Sequence, residues 1–197
     1  MTARTRVGVL ISGSGSNMAA LADAARGADA PFEIALVLSN RPGAGGLAIA
    51  REKGLPVEVV DHRPFGADRE GHERALDAVL NAHGVEVVAL AGYMRLLTPW
   101  LVRRWAGRMI NIHPSLLPKY PGLDTHARAL AAGDVEAGCT VHLVTEGVDE
   151  GPILAQAAVP LLADDTPASL AQRVLTAEHK LYPRALADFC RAQMRSL

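Results

Sequence analysis

Apolar runs that alternate with helical segments predict an α/β protein: a Rossmann-like, doubly wound, mostly parallel sheet with an antiparallel extension in the C-terminal half. Three observations carry this. Each of the first four apolar runs is followed by a helical segment, and three of those helices stop at a glycine, Gly27, Gly54 or Gly84. The early runs are continuously apolar rather than alternating, which suits strands covered on both faces. Late in the chain two runs flank Asp149-Glu150-Gly151-Pro152, residues that favour a turn and so an antiparallel pair.

Residues 7–12 form a short apolar run that ends in glycines, a buried strand. Residues 17–26 are rich in Ala and Leu and helical. A second strand spans 32–39, a helix 45–53 and a third strand 57–60. A longer helix covers 68–83 and a fourth strand 85–91. A short helix over 98–105 carries Pro99 in its first turn, where the missing N–H costs nothing. Residues 108–112 make a fifth strand, 125–132 a helix, and 139–144 and 153–159 the two late strands. A long amphipathic helix runs from 166 to 190, with an interruption expected at Pro183. No repeat or flexible linker divides the chain. It reads as one domain over 1–197, with a phosphate-binding half, 1–105, and a catalytic half, 106–197.

Composition narrows the function. The net charge of −1 argues against a broad nucleic-acid surface. No window reaches the roughly 18 apolar residues of a membrane span. The first apolar run is too short for a signal peptide, and Ser12-Gly13 break it. Cys139 and Cys190 stand far apart and in no CxxC pattern, as free thiols of a cytoplasmic protein would. The seven histidines are scattered with no HExxH, so no metal site is expected.

The loop SGSGSN, residues 12–17, lies between the first strand and the first helix. Small residues let an anion approach the backbone, and a helix N-terminus offers unpaired N–H groups and partial positive charge. Ser16 and Asn17 can add side-chain hydrogen bonds or cap the helix. The third glycine of a dinucleotide fingerprint is replaced by Met18, and the second strand ends Ser39-Asn40-Arg41 without an acid for a ribose. A phosphate loop is therefore favoured over an NADP site built from Gly13, Gly15 and Arg41.

In INIHPSLLPKYPG, residues 110–122, a strand ends with Asn111 and His113 two positions apart. Residues two apart in a strand face the same side, so both should enter the crevice beyond the strand ends, with Ile112 in the core. An amide suits a developing oxyanion, and an imidazole suits proton transfer near neutral pH. Pro114, Pro118 and Pro121 should stiffen the loop that leaves the strand. The segment TEGVDEGP, residues 145–152, offers three acids, Glu146, Asp149 and Glu150, one of which could orient His113 and favour its charged form. Spacing does not choose among them. No nucleophile motif is present, so the pattern points to direct attack of an amine or water on a carbonyl.

These segments, together with LAGYMRLL at 90–97, GCTVHLVTEGVDEGPIL at 138–154 and AEHKLYP at 177–183, resemble the phosphoribosylglycinamide formyltransferases across nearly the whole chain. The resemblance implies the formyltransferase fold. It also implies transfer of a formyl group from 10-formyltetrahydrofolate, as co-substrate, to the amino group of glycinamide ribonucleotide in purine biosynthesis. It assigns Asn111, His113 and Asp149 to catalysis, and Gly15, Ser16, Asn17 and Glu178 to the ribonucleotide. It places folate against Arg69, Met94, Arg95, Leu96, Leu97, Asn111 and residues Val144, Thr145, Glu146, Gly147, Val148 and Asp149. Without it, Met94, Leu96 and Leu97 would read as core, Glu178 as a solvated helix position, and His142 as either core or pocket wall. Both tryptophans, Trp100 and Trp105, read as packing. The partners implied are the two small molecules, with no nucleic acid and no membrane; room is left for a homodimer. Two related activities are set aside because this chain starts at its first strand and ends at Leu197. Formyltetrahydrofolate deformylase usually carries an extra N-terminal domain, and methionyl-tRNA formyltransferase adds a C-terminal RNA-binding one.

Overall fold

The computed structural model describes residues 4–195; the first three and last two residues of the 1–197 unit lie outside it. Seven strands form one sheet: β1 (Thr5–Ile11), β2 (Phe32–Ser39), β3 (Val57–Val59), β4 (Val87–Leu90), β5 (Met109–His113), β6 (Glu136–Leu143) and β7 (Ile153–Pro160). Their order is β3-β2-β1-β4-β5-β6-β7. The first five are parallel; β6 is antiparallel to both β5 and β7. The antiparallel extension is thus where the turn residues place it. The helices are α1 (Ser16–Ala25), α2 (Gly46–Glu52), α3 (Arg69–Ala82), α4 (Pro99–Arg104), α5 (Thr125–Ala132) and α6 (Pro167–Met194).

Two apolar layers sandwich the sheet. Ile11, Ile110, Ile112 and Val141 pack with Met18 and Leu21 of α1 and Leu170, Val174 and Tyr182 of α6. Leu10, Leu38, Val88 and Met109 pack on the other face with Leu76 and Leu80 of α3 and Leu101 and Trp105 around α4. Burial on both faces accounts for the unbroken apolar strands. Trp105 is core, with its indole N–H on Asp77 (2.9 Å), and Trp100 lies under the Arg74 guanidinium. Burial pushes both cysteine thiols up to about 12, which keeps them protonated and inert.

One expectation fails. Pro183 does not interrupt α6, which continues for 28 residues. Buried Tyr182, Ala185 and Leu186 continue the packed face across the proline, so tertiary contacts override the cost of one missing helix hydrogen bond. Thr166 starts that helix with a capping box: Thr166 Oγ1 accepts from the Ser169 N–H, and Ser169 Oγ accepts from the Thr166 N–H.

Candidate active site

Ile110 and Ile112 join the layer beneath α1 and α6, whereas Met109 joins the opposite layer. Asn111 and His113 therefore share the Met109 side, as their spacing requires. The β5–β6 register sets His142 opposite Asn111 and Thr140 opposite His113. His142 Nδ1 lies 2.8 Å from the Leu143 carbonyl and its Nε2 lies 3.3 Å from Asn111 Nδ2. A carbonyl only accepts, so Nδ1 carries a proton, and Nε2 lies between the Asn111 amide and the Asp149 carboxylate. Asn111 is thereby set beside the ring at the end of β5.

His113 is buried between two acceptors. Its Nε2 is 2.9 Å from the Tyr120 carbonyl and its Nδ1 is 3.3 Å from Asp149 Oδ2. Both contacts are satisfied at once only when both ring nitrogens carry hydrogen. Asp149 Oδ2 also accepts from the Gly122 N–H (2.9 Å), and Oδ1 lies 3.5 Å from His142 Nε2. Burial alone would raise this carboxyl. The His142 and Gly122 hydrogen bonds and the charges of His113 and His142 outweigh it and hold Asp149 below the usual carboxylate range. Of the three acids in its segment, Asp149 is the one that reaches His113. Glu146 is held by Arg103 (2.7 Å) and Glu150 is exposed.

The geometry depends on two loops. Asp149 has φ 55°, a left-handed conformation that Asp tolerates better than most residues. At Gly151 a Cβ would fall 1.7 Å from the Leu143 carbonyl oxygen, so only glycine lets this loop close. The loop after His113 is held by side chains of the extension as well as by its prolines. Thr140 Oγ1 donates to the Ser115 carbonyl (2.7 Å) and accepts from the Leu117 N–H (3.1 Å), and Gln156 donates to the Leu117 carbonyl (2.8 Å). The Tyr120 hydroxyl donates to Asp134 (2.7 Å), fixing the residue whose carbonyl holds His113.

At the same edge of the sheet, β1 leads into the glycine loop. Gly15 has φ 75° and forms the N-cap of α1; a Cβ there would meet Gly46 Cα at 2.5 Å. Gly15 is thus needed for the close approach of α2 as well as for its backbone angle. Neither Ser16 nor Asn17 caps the helix, and its first turn contains no acid, so its terminal N–H groups face no competing side chain. Asn17 instead donates to Glu178 (2.6 Å). Glu178 is buried, not solvated: burial raises its carboxyl above the ordinary value, against the lowering effect of Asn17. Asn17 Oδ1 is buried without a partner.

The remaining predicted residues are dispersed. Met94 and Leu96 are 63% and 60% exposed, not core, while Arg95 and Leu97 are half-buried on the same loop. Val148 is exposed in the loop between β6 and β7, and Arg69 is exposed at the first position of α3. His142, which sequence leaves open between core and pocket wall, joins Asn111 to Asp149. Its signal is its position opposite Asn111, which appears only once β5 and β6 are paired.

The formyl transferase family profile matches residues 5–186. The chain belongs to the formyl transferase family. Phosphoribosylglycinamide formyltransferase of Escherichia coli is 43% identical over 187 residues, 95% of this chain and 88% of that one. The crystal structure of phosphoribosylglycinamide formyltransferase from Brucella melitensis superposes with a TM-score of 0.91 at 54% identity, covering 95% of this chain and 96% of that one. The trifunctional purine biosynthetic protein adenosine-3 of Drosophila melanogaster is 53% identical over 186 residues, 93% of this chain. This chain spans only 14% of that relative's length, and 18% of the human protein's. Among the described residues no helix is long and apolar enough to cross a membrane.

Proposed function

We propose that this formyl transferase moves the formyl group of 10-formyltetrahydrofolate to the amino group of glycinamide ribonucleotide. The observation that carries the reading is the contact set Asn111–His142–Asp149–His113 at the end of β5, on the same sheet edge as the uncapped start of α1. The ribonucleotide phosphate rests on Gly15, Ser16 and the α1 N-terminus. Asn17 and Glu178 contact the remainder of that substrate. The folate lies between two loops, against Arg69 and Met94–Leu97 on one side and Val144–Asp149 on the other. Exposed Met94, Leu96 and Val148 provide apolar surface for a planar ring. Residues 1–105 supply the phosphate site and 106–197 the catalytic groups.

The amine nitrogen attacks the formyl carbon, and the carbonyl electron pair moves to oxygen. An Asn111 N–H and a His113 N–H donate to that oxyanion. One His113 contact must be exchanged for the substrate oxygen. The Asp149 contact, at 3.3 Å, is longer than the Tyr120 contact at 2.9 Å and is the one given up. The oxyanion electron pair re-forms the carbonyl as the carbon–N10 bond breaks with its electron pair on N10, and the proton lost by the amine passes to N10, so tetrahydrofolate leaves neutral at that nitrogen. Asp149 steadies the charged imidazole through the step.

An absorbance assay for folate product, run with and without glycinamide ribonucleotide, tests this. Turnover only with the ribonucleotide supports the transfer. Turnover without it identifies a deformylase. No turnover in either arm sinks the reading, and an NADPH titration then tests a Gly13–Gly15–Arg41 site.

A further inference from the structure

Three neighbouring strand ends meet at one hydroxyl. Ser12 follows β1, Asn40 follows β2, and Met94 lies in the loop after β4. Ser12 Oγ donates to Asn40 Oδ1 (2.6 Å) and accepts from the Met94 N–H (2.8 Å). The Ser12 N–H donates to the Gly92 carbonyl (3.1 Å). Ser12 is 3% exposed and Asn40 fully buried. Asn40 is steadied in turn by His62, whose Nδ1 lies 2.8 Å from the Asn40 carbonyl.

Residues 91–98 have no regular structure. Tyr93 and Leu97 pack against the core, whereas Met94 and Leu96 are exposed, so the backbone between those two anchors is held by hydrogen bonds. Its far end is tied to buried Glu73, which accepts from the Thr98 N–H (2.7 Å) and the Thr98 hydroxyl. The loop is therefore clamped at Ser12 and at Glu73, with exposed Met94 and Leu96 and half-buried Arg95 and Leu97 between the two points. Ser12 is also the residue immediately before the glycine loop.

We propose that Ser12 is a positioning residue for folate: its hydroxyl fixes the backbone of the 92–97 wall and ties that wall to the phosphate loop. The folate part rests on the function proposed above; the clamp itself does not. Ser12→Ala leaves the Met94 N–H and Asn40 Oδ1 unpaired in a buried place, whereas Ser12→Thr keeps the hydroxyl.

The experiment measures three quantities on wild type, Ser12→Ala and Ser12→Thr: hydrogen exchange at the Met94 amide, affinity for a 5,8-dideaza folate analogue, and affinity for glycinamide ribonucleotide. For Ser12→Ala the expected results are Met94 exchange faster by about tenfold and analogue affinity weaker by about tenfold, with ribonucleotide affinity changed by less than about twofold. Ser12→Thr should restore the first two. Unchanged Met94 exchange, unchanged analogue affinity, or equal weakening of both ligands would overturn the proposal. If the wild type does not bind the analogue, the folate reading fails and takes the positioning role with it. The Met94 amide then reports on the clamp alone.

Discussion

Two carboxylates, Asp149 and Glu178, are shifted by the fold in opposite directions. Burial pushes both towards the neutral form. At Asp149 it is overcome by His142, the Gly122 N–H and the nearby His113, so the group is held below the usual range. At Glu178 the single amide of Asn17 is not enough, and the carboxyl is raised. Glu178 is the deeper of the two and has the fewer partners, and both differences act in the same sense. The contrast also fits the proposed chemistry. A charged Asp149 supports a charged His113, whereas a charged Glu178 beside the phosphate loop would repel the phosphate.

The largest effect is expected at the catalytic end, from His113→Ala. Turnover should fall by roughly a hundredfold to ten thousandfold while calorimetry shows near-normal ribonucleotide binding. Equal loss of binding would make the residue structural. Asp149→Asn keeps the shape and removes the charge. We expect a loss of roughly tenfold to a hundredfold in kcat and a displaced acidic limb of the pH–rate profile. An unchanged profile would argue against the pairing with His113.

The phosphate end responds through the backbone. Gly15→Ala forces a left-handed alanine whose Cβ meets Gly46 Cα, and should destabilise the protein by roughly 1–3 kcal/mol in denaturant titrations. The ribonucleotide KM should rise more than the folate KM.

The smallest effects bear on the two acids directly, because they should shape stability in opposite senses. Asp149 has a lowered pKa in the folded state. Its titration contributes stability at pH above the unfolded value of about 3.9, and that stability is lost as pH falls through the lower folded pKa. The wild-type advantage over Asp149→Asn should therefore shrink in acid. Glu178 has a raised pKa, so its contribution is complete below about 4.3 and is lost as pH rises through the folded pKa. Glu178→Gln should gain on the wild type between acid and neutral pH. Thermal melts across that range would show both trends, and parallel curves for the two variants would refute the contrast.

Much of this was legible in the sequence because it is local. Strand and helix alternation follows from the apolar periods, and glycine at position 15 from a tight loop entering a helix. The common facing of Asn111 and His113 follows from the two-residue repeat of a strand. Pro183 reads as a break because the local cost of a proline is visible in sequence, whereas the packing that overrides it is not. Without the resemblance Glu178 reads as solvated for the same reason: its partner Asn17 lies 161 residues away. Spacing left Asp149, Glu146 and Glu150 open and only the resemblance chose Asp149; the contact with His113, the insertion of His142 between Asn111 and Asp149, and the Ser12 clamp were decided in three dimensions. Each depends on a strand register or a loop path that sets distances of a few ångströms between residues far apart in the chain. Local chemistry determined which groups could act; tertiary structure decided which of them meet.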